Sequence, residues 1–420
     1  MRWPRHIAFG LACVVLGTGC GDAAPPPPPG PICDGGTPVA PPPARAAVAG
    51  GLDAVARSLF VFGGDIGQPQ ACVPSPQPAQ DTWRYDLTCK RWMPISPSIS
   101  PPPRTGAAYA TEILPSRRRL IVFGGRTGGP GAWTLLNDMW AFDLMQLEWK
   151  QLTPAGTPPP ARADGAAAFH AGRDLLVVFG GNATADPAAP AQPMRDLWLY
   201  DLDQNKWTQQ GPPMMGQGPP EPRLLHAMTY ASSLQLVFVG LGVGAGAPAP
   251  PYFNDLYTFD LEMNRWTKTT PTNRLPSGRI SAGVDFSIGT GQLILFGGRD
   301  EGPLGFQNDA WGYSQTLGWQ RLSDGDAPND VSGQMCARPA DFITVPMSSF
   351  PPPERREAPL FAWDQAVTGV GYLYGGRGDC GNLDDVNFIL LTVGWQPLTP
   401  PTTGASCAHS GRTGCQGLCQ

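Results

Sequence analysis

Charge is scarce in this sequence. Only 15% of the 420 residues are charged, and the signs nearly cancel at a formal −5. That gives no footing for nucleic acid, whose partners usually carry a basic domain. Histidine is scarcer still, at four residues. No Cys/His spacing suggests zinc, and no glycine loop opens a helix to cradle phosphate. No cofactor and no metal are therefore expected. Long apolar runs are missing too. The stretch from Ile7 to Gly19 falls short of the roughly 20 residues needed to cross a bilayer, and no other segment looks transmembrane.

Turn formers and aromatics are what the chain has instead. Glycine (53) and proline (50) are both abundant. A disordered chain this rich in proline would lack aromatics, yet Trp (13), Phe (17) and Tyr (9) recur at regular intervals. That combination fits an all-β protein with many turns.

Arg2, Arg5 and His6 precede the short apolar run, as in an export signal covering residues 1–19. The run ends in "VLGTGC", which resembles the lipobox of bacterial lipoproteins with Cys20 as the lipidated residue. The resemblance implies an exported protein of the bacterial cell envelope, anchored to the membrane only by lipid. Residues 20–43 form a Pro-rich spacer of semi-rigid character. Ten cysteines in an exported chain favour disulfides.

Residues 44–400 contain six copies of one pattern. A Pro-rich lead ends in arginine ("PPPRTGAAYA") and opens a strand, a. An apolar run into a glycine pair ("LIVFGGR") forms strand b. A segment with aromatics two apart ("NDMWAFDL") forms strand c, and a tryptophan ("EWKQL") opens strand d. Period-two aromatics share one face, and a run apolar on both faces suits a strand in the middle of a sheet. The first glycine of each pair is read at 63, 124, 180, 240, 297 and 375, with Leu241 in place of the second glycine of repeat four. Repeat six departs in "DDVNFIL", where Val386 is aligned with the tryptophan and Ile389 with the aspartate.

Six such units resemble the kelch family of β-propellers. The resemblance implies an all-β, six-bladed ring with four antiparallel strands per blade and strand a innermost. Antiparallel strands place the arginines, the glycine pairs, the long b–c loops and the insertion before blade six on one face, here the top. Loops elaborated on one side of a rigid scaffold are where binding sites usually lie. Arg45, Arg104, Arg162, Arg223, Arg279 and Arg355 open the six a strands, and Arg126, Arg299 and Arg377 follow glycine pairs. They are candidates to grip carboxylates of a protein, peptide or glycan partner. The competing expectation is local pairing with Asp138, Asp196, Asp255, Asp309 and Asp385.

Some kelch propellers are enzymes, so a carbohydrate-active enzyme of the sugar-isomerase or oxidase kind is the alternative to a binding module. Copper oxidases of this kind need two histidines at one face. Here His226 falls at the top of a strand and His170 at the bottom of another, so they cannot share a metal, and no catalytic residue is assigned.

Each blade closes within its own repeat, which predicts a weak seam between the first and last. A disulfide from Cys33 to Cys407, Cys415 or Cys419 in the tail (401–420) would staple it; the alternative is that the tail cysteines pair among themselves and with Cys72, leaving Cys33 free. A second bridge, Cys336 to Cys380, would join two loops of the top face.

Overall fold

The apolar run of each repeat becomes a strand buried on both faces. Ser58–Phe62 and Leu175–Asn182 are buried at every position, because each is hydrogen-bonded on both edges and covered by neighbouring blades. The computed structural model describes Cys33 and residues 39–399, apart from 69–74, 214–217, 247–250, 272, 301–304, 324, 326–351, 379–380 and 392–393. Two compact units, Met1–Gly36 and Thr37–Gln420, divide the chain; the architecture below is that of the second.

Six antiparallel sheets follow one another along the chain, each with its four strands in sequence order. Blade one is Ala49–Asp53, Ser58–Phe62, Thr82–Asp86 and Arg91–Ile95. In blade five the innermost strand is broken into Arg279–Ile280 and Gly283–Ser287. Every described element is a strand or turn, with no helix among the described residues. The ring is thus the six-bladed propeller that the repeats predicted.

Aromatic wedges join the blades. The strand d tryptophan packs on the residue preceding the glycine pair of the blade before it. Trp149 lies 4.6 Å from Phe62, Trp207 5.1 Å from Phe123, Trp266 5.3 Å from Phe179 and Trp395 4.5 Å from Phe296. Trp92 closes the ring on Tyr374 at 4.7 Å. Such tilted pairs contribute about 0.5–1.5 kcal/mol each beyond area burial. In blade four the wedge is missing: Gly240 occupies the slot, and a void of about 10 Å³ opens beside Trp319.

Two repeats differ from their sequence alignment. In blade four the left-handed pair is Leu241 (φ 62°) and Gly242 (φ 88°), matching Gly63 (62°) and Gly64 (87°). Leu241 therefore stands in for the first glycine, not the second, and Gly240 for the aromatic before it. In blade six Asn387, not Val386, takes the tryptophan position, since it lies two residues after the aspartate and bonds to it. Ile389 then sits in the inner aromatic slot, opposite Trp395.

The Asp-led turn between strands c and d forms as expected. Asp86 Oδ1 accepts the N–H groups of Thr88 and Cys89 at 2.9 and 3.0 Å. Ser314, in the same place in blade five, accepts the N–H of Leu317 at 3.2 Å.

The expected weak seam is not found. Val48, Leu52, Val61 and Trp92 of blade one pack with Leu360, Tyr372 and Tyr374 of blade six in one buried cluster. Arg57 donates to Asp364 at 2.6 Å and to Tyr372 Oη at 3.0 Å across it. Cys33 and Cys89 are each disulfide-bonded. Cys336, Cys380, Cys407, Cys415 and Cys419 lie outside the described residues, as does Cys20.

Candidate functional site

The arginine that opens each a strand is buried, at 0–1% exposure, in every blade. In blade six this residue is Arg356 rather than Arg355, because "PPPERREA" places Arg356 opposite the aspartate. Arg45, Arg104, Arg162, Arg223, Arg279 and Arg356 make the same set of bonds. Nη1 and Nη2 grip both oxygens of Asp81, Asp138, Asp196, Asp255, Asp309 and Asp385 at 2.5–3.1 Å. Nη1 also donates to the carbonyl of the first pair residue at 2.9–3.0 Å. Nε reaches the carbonyl two residues upstream, as at Pro43, Pro102 and Pro160. Where strand c has tryptophan, its indole N–H donates to the same aspartate at 2.6–2.7 Å. Asn387 Nδ2 does so in blade six at 2.7 Å. Burial opposes ionisation of Asp81, Asp138 and Asp196, yet the guanidinium bonds outweigh it and hold these carboxyls below the usual range. Asp81 had no place among the acids picked out from the sequence.

The same backbone links neighbouring blades. The N–H of the second pair residue donates to the arginine carbonyl of the next blade at 2.8–2.9 Å, at all six junctions. The arginine N–H in turn bonds to the preceding blade, from Arg104 to Ala79 O at 3.0 Å and from Arg45 to Leu383 O at 3.0 Å. These six arginines therefore form an internal skeleton and present no charge to a ligand.

Above that skeleton the blades diverge. The residue after each pair is Asp65, Arg126, Asn182, Val243, Arg299 or Arg377. Arg126 pairs with Asp164, and Arg377 with Asp65. Burial lowers the pKa of Arg126 to about 10. Arg299 is exposed and lies 5.5 Å over the Phe306 ring. Burial pushes the Glu357 carboxyl up, against the pull of Arg377 and Arg299 nearby. On blade four, reaching Ile280 of blade five, the same level is apolar: Leu224, Val243 and Ile280 cluster with Leu225 and Tyr252. The top is thus charged on one side of the axis and apolar on the other.

Below the mouth runs a central channel of about 480 Å³, lined mainly by glycine, alanine and other small or apolar residues of the a strands. His226 lines its upper part, buried, with neither ring nitrogen bonded to protein; burial first, then Arg223, lowers its pKa to about 3. His170 ends its strand at the other rim and stacks on Tyr230 at 4.2 Å. No cluster of metal-ligating residues occurs among the described residues. Among the described residues, the one carboxylate lining the channel is Asp285. Sequence reasoning passed over it, although a charge inside the inner strand "SAGVDF" was a usable signal.

A family model described as the KLHDC2/KLHL20/DRC7 Kelch-repeats domain matches residues 36–240 and 174–347. Acyl-CoA-binding domain-containing protein 5 of Arabidopsis thaliana is 33% identical over 172 residues, which is 40% of this chain and 22% of that protein. Acyl-CoA-binding domain-containing protein 4 of the same plant is 32% identical over 143 residues, 34% of this chain and 19% of that protein. Multiple epidermal growth factor-like domains protein 8 of Homo sapiens is 26% identical over 272 residues, 60% of this chain and 9% of that protein. The chain thus spans at most about a fifth of the length of these relatives.

Proposed function

The chain belongs to the kelch-repeat propellers, generally protein-interaction modules, and from that premise we propose that it is an exported binding module, tethered through a lipidated Cys20, that takes a protein or peptide on its loop-bearing top face. One observation carries this reading. The repeated residues are spent on the skeleton, while the residues above it differ from blade to blade. Paired charge at Arg126, Asp65 and Arg377 on one side and the Leu224, Val243, Ile280 cluster on the other suit a partner with an apolar anchor and polar flanks.

The b–c loop of blade two supports it further. The strands Arg117–Thr127 and Thr134–Asp143 continue past the glycine pair and lift the exposed residues Pro130 and Gly131 above the ring. A photo-crosslinking residue at Pro130 should capture a partner in intact envelopes, and one at the exposed Pro115, in the a–b turn on the opposite face, should not. Capture from Pro115 alone would reverse the assignment. The lipid anchor has its own check: Cys20→Ser should abolish incorporation of a palmitate analogue and release the protein from membranes.

A further inference from the structure

We propose that the central channel binds a small organic ammonium ion, whose cationic head pairs with Asp285 and whose apolar part lies along the alanine and glycine walls. This site is distinct from the top-face surface and does not depend on it.

Each a strand ends its sheet, so its outer edge pairs with strand b and its inner edge has no strand partner among the described residues. Unpaired edge groups must be met by water, a side chain or a ligand. Asp285 meets some of them. Its Oδ2 accepts the Trp363 N–H of blade six at 2.7 Å, and Oδ1 accepts its neighbour's N–H, from Phe286, at 2.7 Å. Thr229 of blade four donates to Oδ1 at 3.1 Å. Those three bonds leave lone pairs on both oxygens.

Among the described residues, no lysine or arginine lines the channel. The titratable groups that do are Tyr109 of blade two, His226 and Tyr230 of blade four, and Asp285 itself. None of them is cationic near neutral pH. Burial pushes the Asp285 carboxyl up to about 6, and burial with Asp285 nearby pushes Tyr109 up to about 12. A carboxylate buried without a counter-charge is costly, and an ammonium head supplies what the chain does not. Tyr109, Tyr230 and Trp363 add aromatic surface suited to a cation. The volume, about 480 Å³, falls within the range of small-molecule pockets and far exceeds a bare metal ion.

The test is calorimetric titration of the full chain with n-butylammonium chloride, n-butanol and potassium chloride. Butylammonium should bind at pH 7.5, with at least tenfold weaker binding to Asp285→Asn, whose amide oxygen can still accept the Trp363 N–H. Butanol should bind more weakly than butylammonium, and potassium should not displace it. A wild-type readout guards against a variant that fails to fold. Butylammonium affinity should fall about tenfold per pH unit below pH 6, as Asp285 takes up its proton; His226 and Tyr109 do not titrate in that window. No binding, equal affinity for the variant, equal binding of butanol, or full displacement by potassium would each overturn the proposal.

Discussion

The junction between blades six and one has no chain running through it, whereas the junction between blades one and two is covalently continuous. Both carry the bond from the second pair residue to the next arginine, Gly376 to Arg45 and Gly64 to Arg104, at 2.9 Å. Both carry an ion pair at the opposite end: Arg57–Asp364 at 2.6 Å across the seam, and Arg118–Asp53 at 2.8 Å between blades one and two. They differ near the channel mouth. There a left-handed residue in each blade donates its N–H to the one before it: Asp164 to Gly106, Leu225 to Asp164, Ser281 to Leu225, Ala358 to Ser281 and Ala47 to Ala358, at 2.7–3.0 Å. The seam has this bond. Among the described residues the corresponding link from Gly106 to Ala47 is absent. Covalent continuity and completeness of bonding are separate properties, and the place where a ring must close need not be its softest.

The strongest way to break that comparison is to strip one arginine from each side. Arg356→Ala would leave Asp385, only 3% exposed, buried without its cation. A loss of about 3–5 kcal/mol is expected. Arg45→Ala should cost less, about 1–3 kcal/mol, because Asp81 is 40% exposed and can hydrate. Denaturant unfolding of both variants checks the order, and an equal loss would show that exposure of the acid does not set the cost.

A matched pair of smaller cuts sharpens the point. Arg57→Ala at the seam and Arg118→Ala between blades one and two each leave a fully buried aspartate, Asp364 or Asp53. Each aspartate keeps two backbone N–H donors, Val55 and Ala56 on Asp53 and Ala366 and Val367 on Asp364, so the cost should be about 1–3 kcal/mol despite burial. If Arg57→Ala costs nothing while Arg118→Ala does not, the seam is weaker than its bonds suggest.

The junctions around Asp285 offer a pH-dependent version. Its folded pKa, about 6, lies above the unfolded value, so the ionised form is disfavoured by folding. Asp285→Asn should therefore raise the melting temperature at pH 7.5, with the gain shrinking as pH falls from about 6 toward 4. Asp81, Asp138 and Asp196 act in the opposite sense. Their folded values are depressed, so their stabilisation is present above the unfolded value of about 3.9 and lost as pH falls below it. An acid-unfolding midpoint that ignores all three arginine partners would contradict that.

The smallest effect expected is at the collar. Ala47 holds φ 51° without the freedom of glycine, so Ala47→Gly should be neutral or stabilising by up to about 1 kcal/mol. At the open link, Gly106→Ala would bring a Cβ within 2.4 Å of Asp164 Oδ1 at φ 63° and should destabilise.

The ring was legible from the sequence because its signals repeat. Five in-phase glycine pairs with a sixth, altered copy, paired aromatics and strand d tryptophans made the blade count and strand order readable. What was lost was phase within the two irregular repeats. "VGLG" contains two glycines, and only the left-handed φ of Leu241, with its carbonyl bound by Arg223 at 2.9 Å, shows which slot each residue fills. "ERRE" offers two adjacent arginines, and only the geometry opposite Asp385 selects Arg356. The arginine ring was visible but ambiguous, since a buried cation and a ligand-gripping cation look alike as letters. Asp285 was missed because a single acid inside one strand has no repeat to mark it.

The bond from the second pair residue to the following arginine has a consequence for how such a chain can grow. Every repeat begins with the acceptor of this joint and ends strand b with its donor. A tandem duplication therefore copies plug and socket together, and each new copy arrives already able to couple to both neighbours. Compatibility between blades is inherited rather than reinvented. Nothing in the coupling itself counts to six, so the number of blades must be set by how neighbouring sheets pack side by side.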